Sequence, residues 1–357
     1  MKRFFVILFL SVCVFAQTVF AGAPEGYYNN ANGKSGYALK TALHNIIKGH
    51  KVTSYNSDEA CWTIYKDIDV KPGTIDEVYD MYSNCDYSYD NNQRCGKNPN
   101  GVTLNYKVEC DCYNREHSMP KSWFNDKSPM NADFVHIVPT DGKINGNRSN
   151  FPFGEVGTAS STSSNGCKLG SAKSGLGYSG TVFEPADEYK GDFARIYFYM
   201  AIRYEDLVKG WSSDMLGNDN TQVFTTWAKN MLLKWHREDS VSDKERERND
   251  GIQRHQNNRN PFVDYPELVE KIWGGDNTPF YLNGGSVGVE EPVVEEELSL
   301  SADTYPTAEI ISVSGVKLKQ VSFSEVNTTL DKMQRGVYII RYLHKDGRNS
   351  VSRKVVI

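Results

Sequence analysis

Apolar residues recur at helical spacing in several stretches of the chain. The first covers residues 39–47, and the two longest cover 192–208 and 221–237. Because one face of an α-helix collects positions three and four apart, each stretch predicts an amphipathic helix. A further helix is predicted to begin at the capping-box sequence 242–245 and to run to about residue 256. Its many charges favour a solvated face with ion pairs four positions apart.

Other stretches show mixed or polar patterns. Residues 61–65 and 77–82 are mixed apolar runs, each typical of a strand or a short helix. Residues 86–105 are rich in Asn and Gly, which favours a long loop. Residues 160–180 are rich in Ser and Gly, which predicts an irregular surface loop. Together these patterns predict one large domain over residues 24–285.

An acidic, proline-bearing segment separates this domain from the end of the chain. Residues 290–297 carry five carboxylates, which is typical of a linker, and we place its bounds at 286–299. Short strand-like runs follow it, divided by Gly or Asn turns, at residues 310–313, 316–321, 337–342 and 351–357. This pattern predicts a small all-β module over residues 300–357, without a catalytic cluster.

The N-terminus has the form of a secretory signal. Lys2 and Arg3 precede an apolar run over residues 4–15, and small residues suited to cleavage lie between 16 and 23. The run is too short for a comfortable membrane span. We therefore expect residues 1–23 to be a signal peptide and the mature protein to be exported without a membrane span.

The cysteines agree with export. An even number remains beyond the predicted signal, which favours disulfides in an oxidising compartment: Cys61, Cys85, Cys95, Cys110, Cys112 and Cys167. The sequence does not rank their pairings, although Cys85 and Cys95 are placed to pin the polar loop 86–105. A zinc site at Cys110 and Cys112 is the alternative, but their spacing is shorter than zinc sites use.

The net charge of −5 argues against a protein that attracts nucleic acid by its overall field. The acidic excess does not come from the tail alone, because the central domain also has more acidic than basic residues. Any affinity for phosphate must then come from a local basic patch and a bound metal ion.

The residue types needed for such a site occur close together. Glu116 and Asn145 are oxygen donors suited to Mg²⁺, with Ca²⁺ or Mn²⁺ as alternatives. His117 can act as a general base near neutral pH. Arg115 and Arg148 can bind phosphate oxygens through charge-assisted hydrogen bonds. Together these groups are sufficient for hydrolysis of a phosphodiester with one metal ion. The alternative is that they have no catalytic role, because Glu-His pairs are common and Asn-Gly usually marks a turn.

Two ordered blocks of sequence carry a resemblance to one family. The first comprises residues 114–124, which begin Asn114-Arg115-Glu116-His117, then residues 133–142 and Asn145-Gly146-Asn147-Arg148-Ser149-Asn150. The second, residues 243–273, contains Asn258-Arg259-Asn260-Pro261-Phe262. Together they closely resemble the endonuclease I family of secreted bacterial nucleases, and the resemblance extends over about residues 37–275.

The resemblance implies an α+β fold with a ββα-metal (His-Me finger) core and surrounding helices. In that core a β-hairpin delivers the histidine and a following helix delivers the asparagine. Glu116 and Asn145 fall on the metal ligands of the family, and His117 falls on its general base. Arg148 lies in a matching segment, where it is expected to contact phosphate or to have a structural role.

Further positions carry weaker implications. His136 matches the last histidine of an Asp-Leu-His-His pattern, and Asp133 matches its aspartate. Both are therefore expected to hold the reacting residues in position without taking part in the reaction. Val135 replaces the first histidine of that pattern, which puts an accessory role at this position in doubt. Arg259 could contact the nucleic-acid backbone, or its segment could be structural, with Pro261 beginning a new segment.

The C-terminal module resembles the β-sandwich sorting domain of type IX secretion in bacteria of the Bacteroidetes kind. The resemblance is carried by residues 336–341 and 352–357. It implies contact with the type IX secretion machinery and a protein that is secreted or attached to the outer-membrane surface. A permanent binding module is the alternative.

The leading hypothesis is a secreted, monomeric, metal-dependent endonuclease that cuts DNA, RNA or both with little sequence preference. The family mechanism implies products with a 5′-phosphate. A non-catalytic surface protein that uses the same fold for binding or adhesion is the alternative. A zinc peptidase is excluded because no His-Glu-x-x-His sequence occurs.

Overall fold

The computed structural model describes residues 22–53, 55, 58–90, 93–97, 101–282, 301–312, 317–330, 332–333, 337–345 and 350–356. The chain divides into two compact units, residues 1–287 and 288–357. Nearly all of the predicted signal peptide and the whole predicted linker lie outside the described residues. In the described part of the chain, no helix is both long enough and apolar enough to cross a membrane.

The first unit mixes helices with short antiparallel strands, as an α+β fold requires. Its helices are α1 (Gly36–Ile47), α2 (Asp58–Ile68), α3 (Gly142–Arg148), α4 (Lys190–Arg203), α5 (Thr226–Glu238), α6 (Asp243–Gln256) and α7 (Pro261–Asp264). Its strands are β1 (Gly96–Lys97), β2 (Thr103–Leu104), β3 (Tyr113–His117), β4 (Ile137–Asp141), β5 (Val156–Thr162), β6 (Lys168–Ala172) and β7 (Thr181–Glu184).

The helices predicted from apolar spacing are present. Helix α4 ends at Arg203, earlier than predicted, and α5 begins later than predicted, at Thr226. The mixed run 61–65 lies within helix α2, the second of its two alternatives. Helix α6 begins at the predicted capping box, in which Ser242 and Glu245 each bind the backbone N–H of the other.

Helix α4 lies at the centre of this unit. All its residues from Gly191 to Arg203 are buried, and it packs against α1, α5 and α7. A helix that is apolar on most sides belongs in a protein interior. Its charged Arg195 is also buried, where it donates to Glu245 and Asp192. The buried charge of Arg195 is therefore compensated by carboxylates.

The prediction of an irregular loop over residues 160–180 is wrong for residues 160–162 and 168–172, which belong to strands. Strands β5, β6 and β7 form an antiparallel sheet in that order. Most residues of β5 are exposed, so the strand shows none of the alternation of apolar and polar residues that indicates a half-buried strand. Gly170 allows close pairing, because a Cβ atom there would overlap the carbonyl oxygen of Thr158.

Strands β3 and β4 pair antiparallel, with Glu116 opposite Val138 and His117 opposite Ile137. Helix α3 follows β4 directly. Asp141 caps this helix, because its carboxylate accepts a hydrogen bond of 2.8 Å from the backbone N–H of Ile144. A hairpin and a helix are thus joined without an intervening loop.

Two disulfides hold the polar segment before β3, Cys85–Cys110 and Cys95–Cys112. Cys85 and Cys95 therefore pin this segment to residues next to β3 rather than to each other. The zinc alternative at Cys110 and Cys112 is wrong, because both thiols are consumed in disulfides. Cys167 is a buried free thiol.

The second disulfide supports helix α3 directly. A Cβ atom on Gly142 would lie 2.5 Å from the sulfur of Cys95 and 3.0 Å from the carbonyl oxygen of Cys112. A Cβ atom on Gly146 would lie 2.8 Å from the ring of Tyr106. Each glycine costs the helix about 1 kcal/mol in propensity. The glycines are required because the helix packs too closely against its neighbours for a side chain.

The second unit contains strands β8 (Thr307–Ser312), β9 (Lys317–Ser322), β10 (Val337–Leu343) and β11 (Ser350–Val356), with helix α8 (Val326–Leu330). The strands pair antiparallel in the order β11–β10–β8–β9. Ile310, Ile340 and Leu330 belong to the small apolar core of this unit. The described residues form one antiparallel sheet with a short helix packed against it. The predicted strands are present, and the two-sheet sandwich stays a prediction.

We predict that replacing both Cys95 and Cys112 by serine lowers the free energy of unfolding by about 3 kcal/mol, the value expected for closing a loop of this length. The disulfide joins residues separated by 17 positions. Urea unfolding followed by tryptophan fluorescence measures the loss. Under reducing conditions the variant and the wild-type protein should unfold alike. An unchanged midpoint for the oxidised variant would show that this disulfide does not support the fold.

Candidate active site

Glu116 and His117 lie at the end of β3, and neighbouring residues of a strand point to opposite faces. The contacts agree with this geometry. Glu116 reaches Tyr82 and Arg148 on one face. His117 contacts the rings of Tyr55 and His136 on the other.

The carboxylate of Glu116 is held by one of its two oxygens. Oε1 accepts hydrogen bonds from the hydroxyl of Tyr82 at 2.9 Å and from the guanidinium of Arg148 at 2.5 Å. Among the described residues nothing donates to Oε2. Burial raises the pKa of Glu116 to about 7, although Arg148 and Tyr82 act against this shift. The side chain therefore presents a fixed oxygen that is free to bind another group.

Asn145 is half-buried on α3, next to β3. Its amide Nδ2 donates to the carbonyl oxygen of Arg115 at 3.2 Å, one residue before Glu116. This bond fixes the orientation of the amide and leaves Oδ1 without a partner in the described structure. Asn145 and Glu116 thus come from adjacent elements, and each offers a free oxygen.

The imidazole of His117 is oriented by a backbone carbonyl. Its Nε2 lies 3.1 Å from the carbonyl oxygen of Asn131, which can only accept, so Nε2 carries the hydrogen. Nδ1 then has the lone pair, and no described residue donates to it. Burial, His136 and the nearby cations Lys121 and Arg115 hold the pKa of His117 well below its usual value. A neutral imidazole is the form that accepts a proton.

Arg148 is fully buried behind the site. It donates to Glu116, to the carbonyl oxygen of His117 at 3.0 Å and to that of Ser118 at 2.6 Å. Its guanidinium also lies over the ring of Phe153, at 4.7 Å. Because protein groups surround this guanidinium, we interpret Arg148 as a brace for Glu116 and the end of β3 rather than as a ligand of phosphate.

Arg115 lies beside the site and is half-buried. Its guanidinium stacks on the ring of Tyr55 at 4.3 Å and lies 5.6 Å from the ring of Trp62. The ammonium of Lys121 lies 5.2 Å from the same Tyr55 ring, which contacts His117. Lys121 and Tyr55 were not predicted from the sequence. Lys121 stands in the first matching block, whereas nothing in the sequence marks Tyr55.

Asp133 organises the segment before β4 and does not face the reacting groups. It accepts hydrogen bonds of 2.8 Å from the hydroxyls of Tyr199 and Tyr204. Burial raises its pKa, but His50 and His136 contribute to a larger opposing effect that lowers it to about 2. His136 donates from Nε2 to the carbonyl oxygen of Met130 at 2.7 Å, and its ring packs against that of His117. His136 therefore supports the ring of His117, and Asp133 holds the segment that carries His136.

The second sequence block fixes this segment from the other side. Arg248 on α6 donates to the carbonyl oxygens of Phe134, Val135 and Ile137 and pairs with Asp69. The predicted solvated face of α6 is therefore wrong for this part of the helix. Its partners come from distant segments, which the pattern of the helix alone does not show.

Arg259 lies in a buried cluster of charges. Its side chain is 2% exposed and pairs with Asp250 at 2.6 Å and with both carboxylate oxygens of Asp264. Of the two sequence-based interpretations of this segment, the geometry favours the structural one, because the guanidinium faces carboxylates inside the protein.

The sequence pattern of the family described as Endonuclease I matches residues 35–267 of the chain. The chain belongs to the endonuclease I family. It is therefore a nuclease, and the hairpin and helix that carry Glu116, His117 and Asn145 lie within the matched residues.

Relatives agree with this assignment. The chain is 35% identical over 258 residues to an extracellular ribonuclease of Bacillus subtilis, which covers 70% of this chain and 78% of the relative. It is 36% identical to an extracellular ribonuclease of Bacillus amyloliquefaciens, over the same shares of the two chains. Over 129 residues it is 26% identical to endonuclease-1 of Buchnera aphidicola from Acyrthosiphon pisum, covering 35% of this chain and 46% of the relative.

We predict that Arg148→Met lowers the free energy of unfolding by about 3–5 kcal/mol, because Glu116 and the carbonyl oxygens of His117 and Ser118 would lose their buried partner. Urea unfolding of the purified variant measures the loss. Lys121→Met is the matched control. It removes a half-exposed cation beside the site and should cost less than about 1 kcal/mol. Lost activity with a wild-type unfolding midpoint would instead show that Arg148 acts on the substrate.

Proposed function

We propose that this member of the endonuclease I family is a secreted, metal-dependent endonuclease that hydrolyses phosphodiester bonds of RNA and DNA with little sequence preference and leaves 5′-phosphate ends. The extracellular ribonucleases among its relatives support secretion and activity on RNA. The family description supports endonucleolytic cleavage. The observation that carries the proposal is that Glu116 and Asn145, on adjacent elements, each keep an oxygen that no described residue binds, and that no described residue donates to Nδ1 of His117, the residue after Glu116.

The two free oxygens fit a hard divalent cation. Oε2 of Glu116 and Oδ1 of Asn145 would hold Mg²⁺, for which Ca²⁺ or Mn²⁺ can substitute. Within the described residues, no three His, Cys, Asp or Glu side chains converge on a common point. Two protein ligands are enough for Mg²⁺, which keeps waters and takes substrate oxygens. When bound, the cation would stabilise negative charge on the phosphate.

The protein groups around the cation perform the remaining tasks. Nδ1 of His117 accepts the proton of the attacking water, while the carbonyl of Asn131 keeps the ring in place. Arg115 and Lys121 neutralise the phosphates on either side of the cut. This local basic patch gives a chain of net charge −5 its affinity for a polyanion. Arg148 keeps Glu116 at its position.

The ends of the chain have roles in export. We propose that residues 1–23 direct export and that the unit at residues 288–357 engages the type IX secretion machinery, after which the protein is released or stays at the outer-membrane surface. The separate apolar core of that unit supports a module that folds by itself. The nuclease is proposed to act as a monomer.

We predict that His117→Ala lowers the rate of nucleic-acid cleavage by about 10²–10⁴-fold, because no other group would accept the proton. Digestion of duplex DNA, single-stranded DNA and RNA, each with Mg²⁺ and with chelator, measures the rate. His255→Ala is the matched control, since His255 pairs with Asp67 at the surface. Full activity of His117→Ala would exclude this mechanism. Binding without cleavage by the wild-type protein would favour the non-catalytic alternative.

We predict that Tyr82→Phe weakens binding of the cation by about 10-fold or more, because Glu116 loses a hydrogen bond that orients its carboxylate. The buried ring remains, so the fold should persist. Calorimetric titration with Mg²⁺ or Ca²⁺ measures the affinity. Tyr89→Phe removes a comparable buried hydroxyl, bonded to the carbonyl oxygen of Asp69, and should leave the affinity unchanged. Equal affinities for all three proteins would separate Tyr82 from the metal site.

A further inference from the structure

A hollow of about 450 Å³ opens beside the active site. Its lining includes Ser122, Trp123, Asn150, Tyr178, Ser213 and Asp214. We call it the side hollow. Its position follows from the chain, because residues 121–124 form the short helical turn that follows His117 and Ser118, and Asn150 comes two residues after Arg148. The chain segments that directly follow the hairpin strand of His117 and the helix of Asn145 therefore form part of its walls.

The side hollow suits a flat, neutral group better than a phosphate. None of the described residues that line it is Lys or Arg, so no cation is available for a phosphate oxygen. Its surface combines aromatic rings with hydroxyl and amide groups. A pocket of this size is large enough for a small organic ligand. A nucleobase has both features that such a surface recognises, a stacking face and an edge with hydrogen-bonding groups.

The ring of Tyr178 is built into a fixed position at the wall. It stacks on Trp227, with ring centroids 4.6 Å apart and planes inclined by 13°. Its hydroxyl donates to Asp214 at 2.8 Å. Gly180 makes room for the ring, because a Cβ atom there would lie 2.2 Å from the hydroxyl oxygen. Tyr178 and Trp227 both border a neighbouring hollow, and of these two rings only that of Tyr178 also lines the side hollow.

Asp214 supplies an acceptor at the same wall. Its Oδ2 is occupied by the hydroxyl of Tyr178, and its backbone oxygen accepts from Nε1 of Trp227 at 3.1 Å. Among the described residues nothing donates to Oδ1. A carboxylate oxygen of this kind accepts hydrogen bonds from the amino or imino groups on the edge of a base. Stacking surface and acceptor thus lie together.

We propose that the side hollow binds one unpaired nucleobase of the substrate strand, adjacent to the bond that is cut, stacked on Tyr178. The inference rests on the proposed nuclease function. A base inside a duplex cannot enter such a hollow without being unstacked and unpaired, which costs free energy. The side hollow therefore gives the enzyme a preference for single strands over duplexes at this position.

The test uses the full-length protein and short single strands with one phosphodiester linkage, all other linkages being phosphorothioates. Each strand is made as DNA and as RNA. On the intact strand, Tyr178→Ala is expected to raise KM by about fivefold or more and to leave kcat unchanged, as the loss of one base–aromatic contact requires. Tyr178→Leu should behave like alanine, and Tyr178→Phe should retain the wild-type KM. Urea unfolding confirms that the variants are folded.

Abasic strands decide whether the contact is to a base. One base next to the cleavable linkage is removed, first on the 5′ side and then on the 3′ side. At one of these positions the wild-type KM should rise by a similar factor, and Tyr178→Ala should add no further increase. The proposal would be overturned if base removal and Tyr178→Ala raised KM by independent, multiplying factors at both positions. An unchanged KM for Tyr178→Ala and Tyr178→Leu would also overturn it. Failure of the wild-type protein to cut any intact strand would instead overturn the proposed function.

Discussion

The buried ion pair between Glu116 and Arg148 is the interaction on which the site depends. A carboxylate removed from water is costly unless a charge and hydrogen bonds compensate it. Arg148 supplies the charge, and the same guanidinium holds the backbone at His117 and Ser118. One side chain thus sets the position of the proposed ligand and of the proposed base, and a shift in α3 would displace both together.

The surroundings of this pair are built from residues far apart in the chain. Tyr82 reaches Glu116 from a segment before the disulfides, and Tyr197 on α4 donates to the carbonyl oxygen of Ser118. Arg248 on α6 holds the segment that leads into β4. The second matching block therefore holds in place the loop whose His136 packs against His117.

The sequence predicted what depends on local pattern or on the matching blocks. Helices α1, α4 and α6 follow from spacing and a capping box, and the hairpin with its helix follows from the resemblance. The sheet over residues 156–184 was missed because its first strand is polar and exposed. Its sequence therefore lacks the alternation of apolar and polar residues that predicts a strand. The roles of Arg148 and Arg259 could not be separated from the sequence, because a phosphate and a buried carboxylate are equally good partners for a guanidinium.

The same limit applies to the environment of His117. Nothing in the residues around Tyr55 indicates that its ring lies between a histidine and two cations. Such contacts depend on how distant segments come together in space. Local propensity does not predict these contacts. A resemblance to a family assigns roles only to the positions that its motifs contain.

The two glycines of α3 have a consequence for how the catalytic unit can be used. A seven-residue helix with Gly142 and Gly146 is too short and too weak in propensity to be stable alone. It stays helical because Asp141, Tyr106 and the Cys95–Cys112 disulfide surround it. The hairpin and helix are therefore not a portable module. A smaller nuclease designed from this chain would have to retain the cystine-bearing segment and the central helix as scaffold.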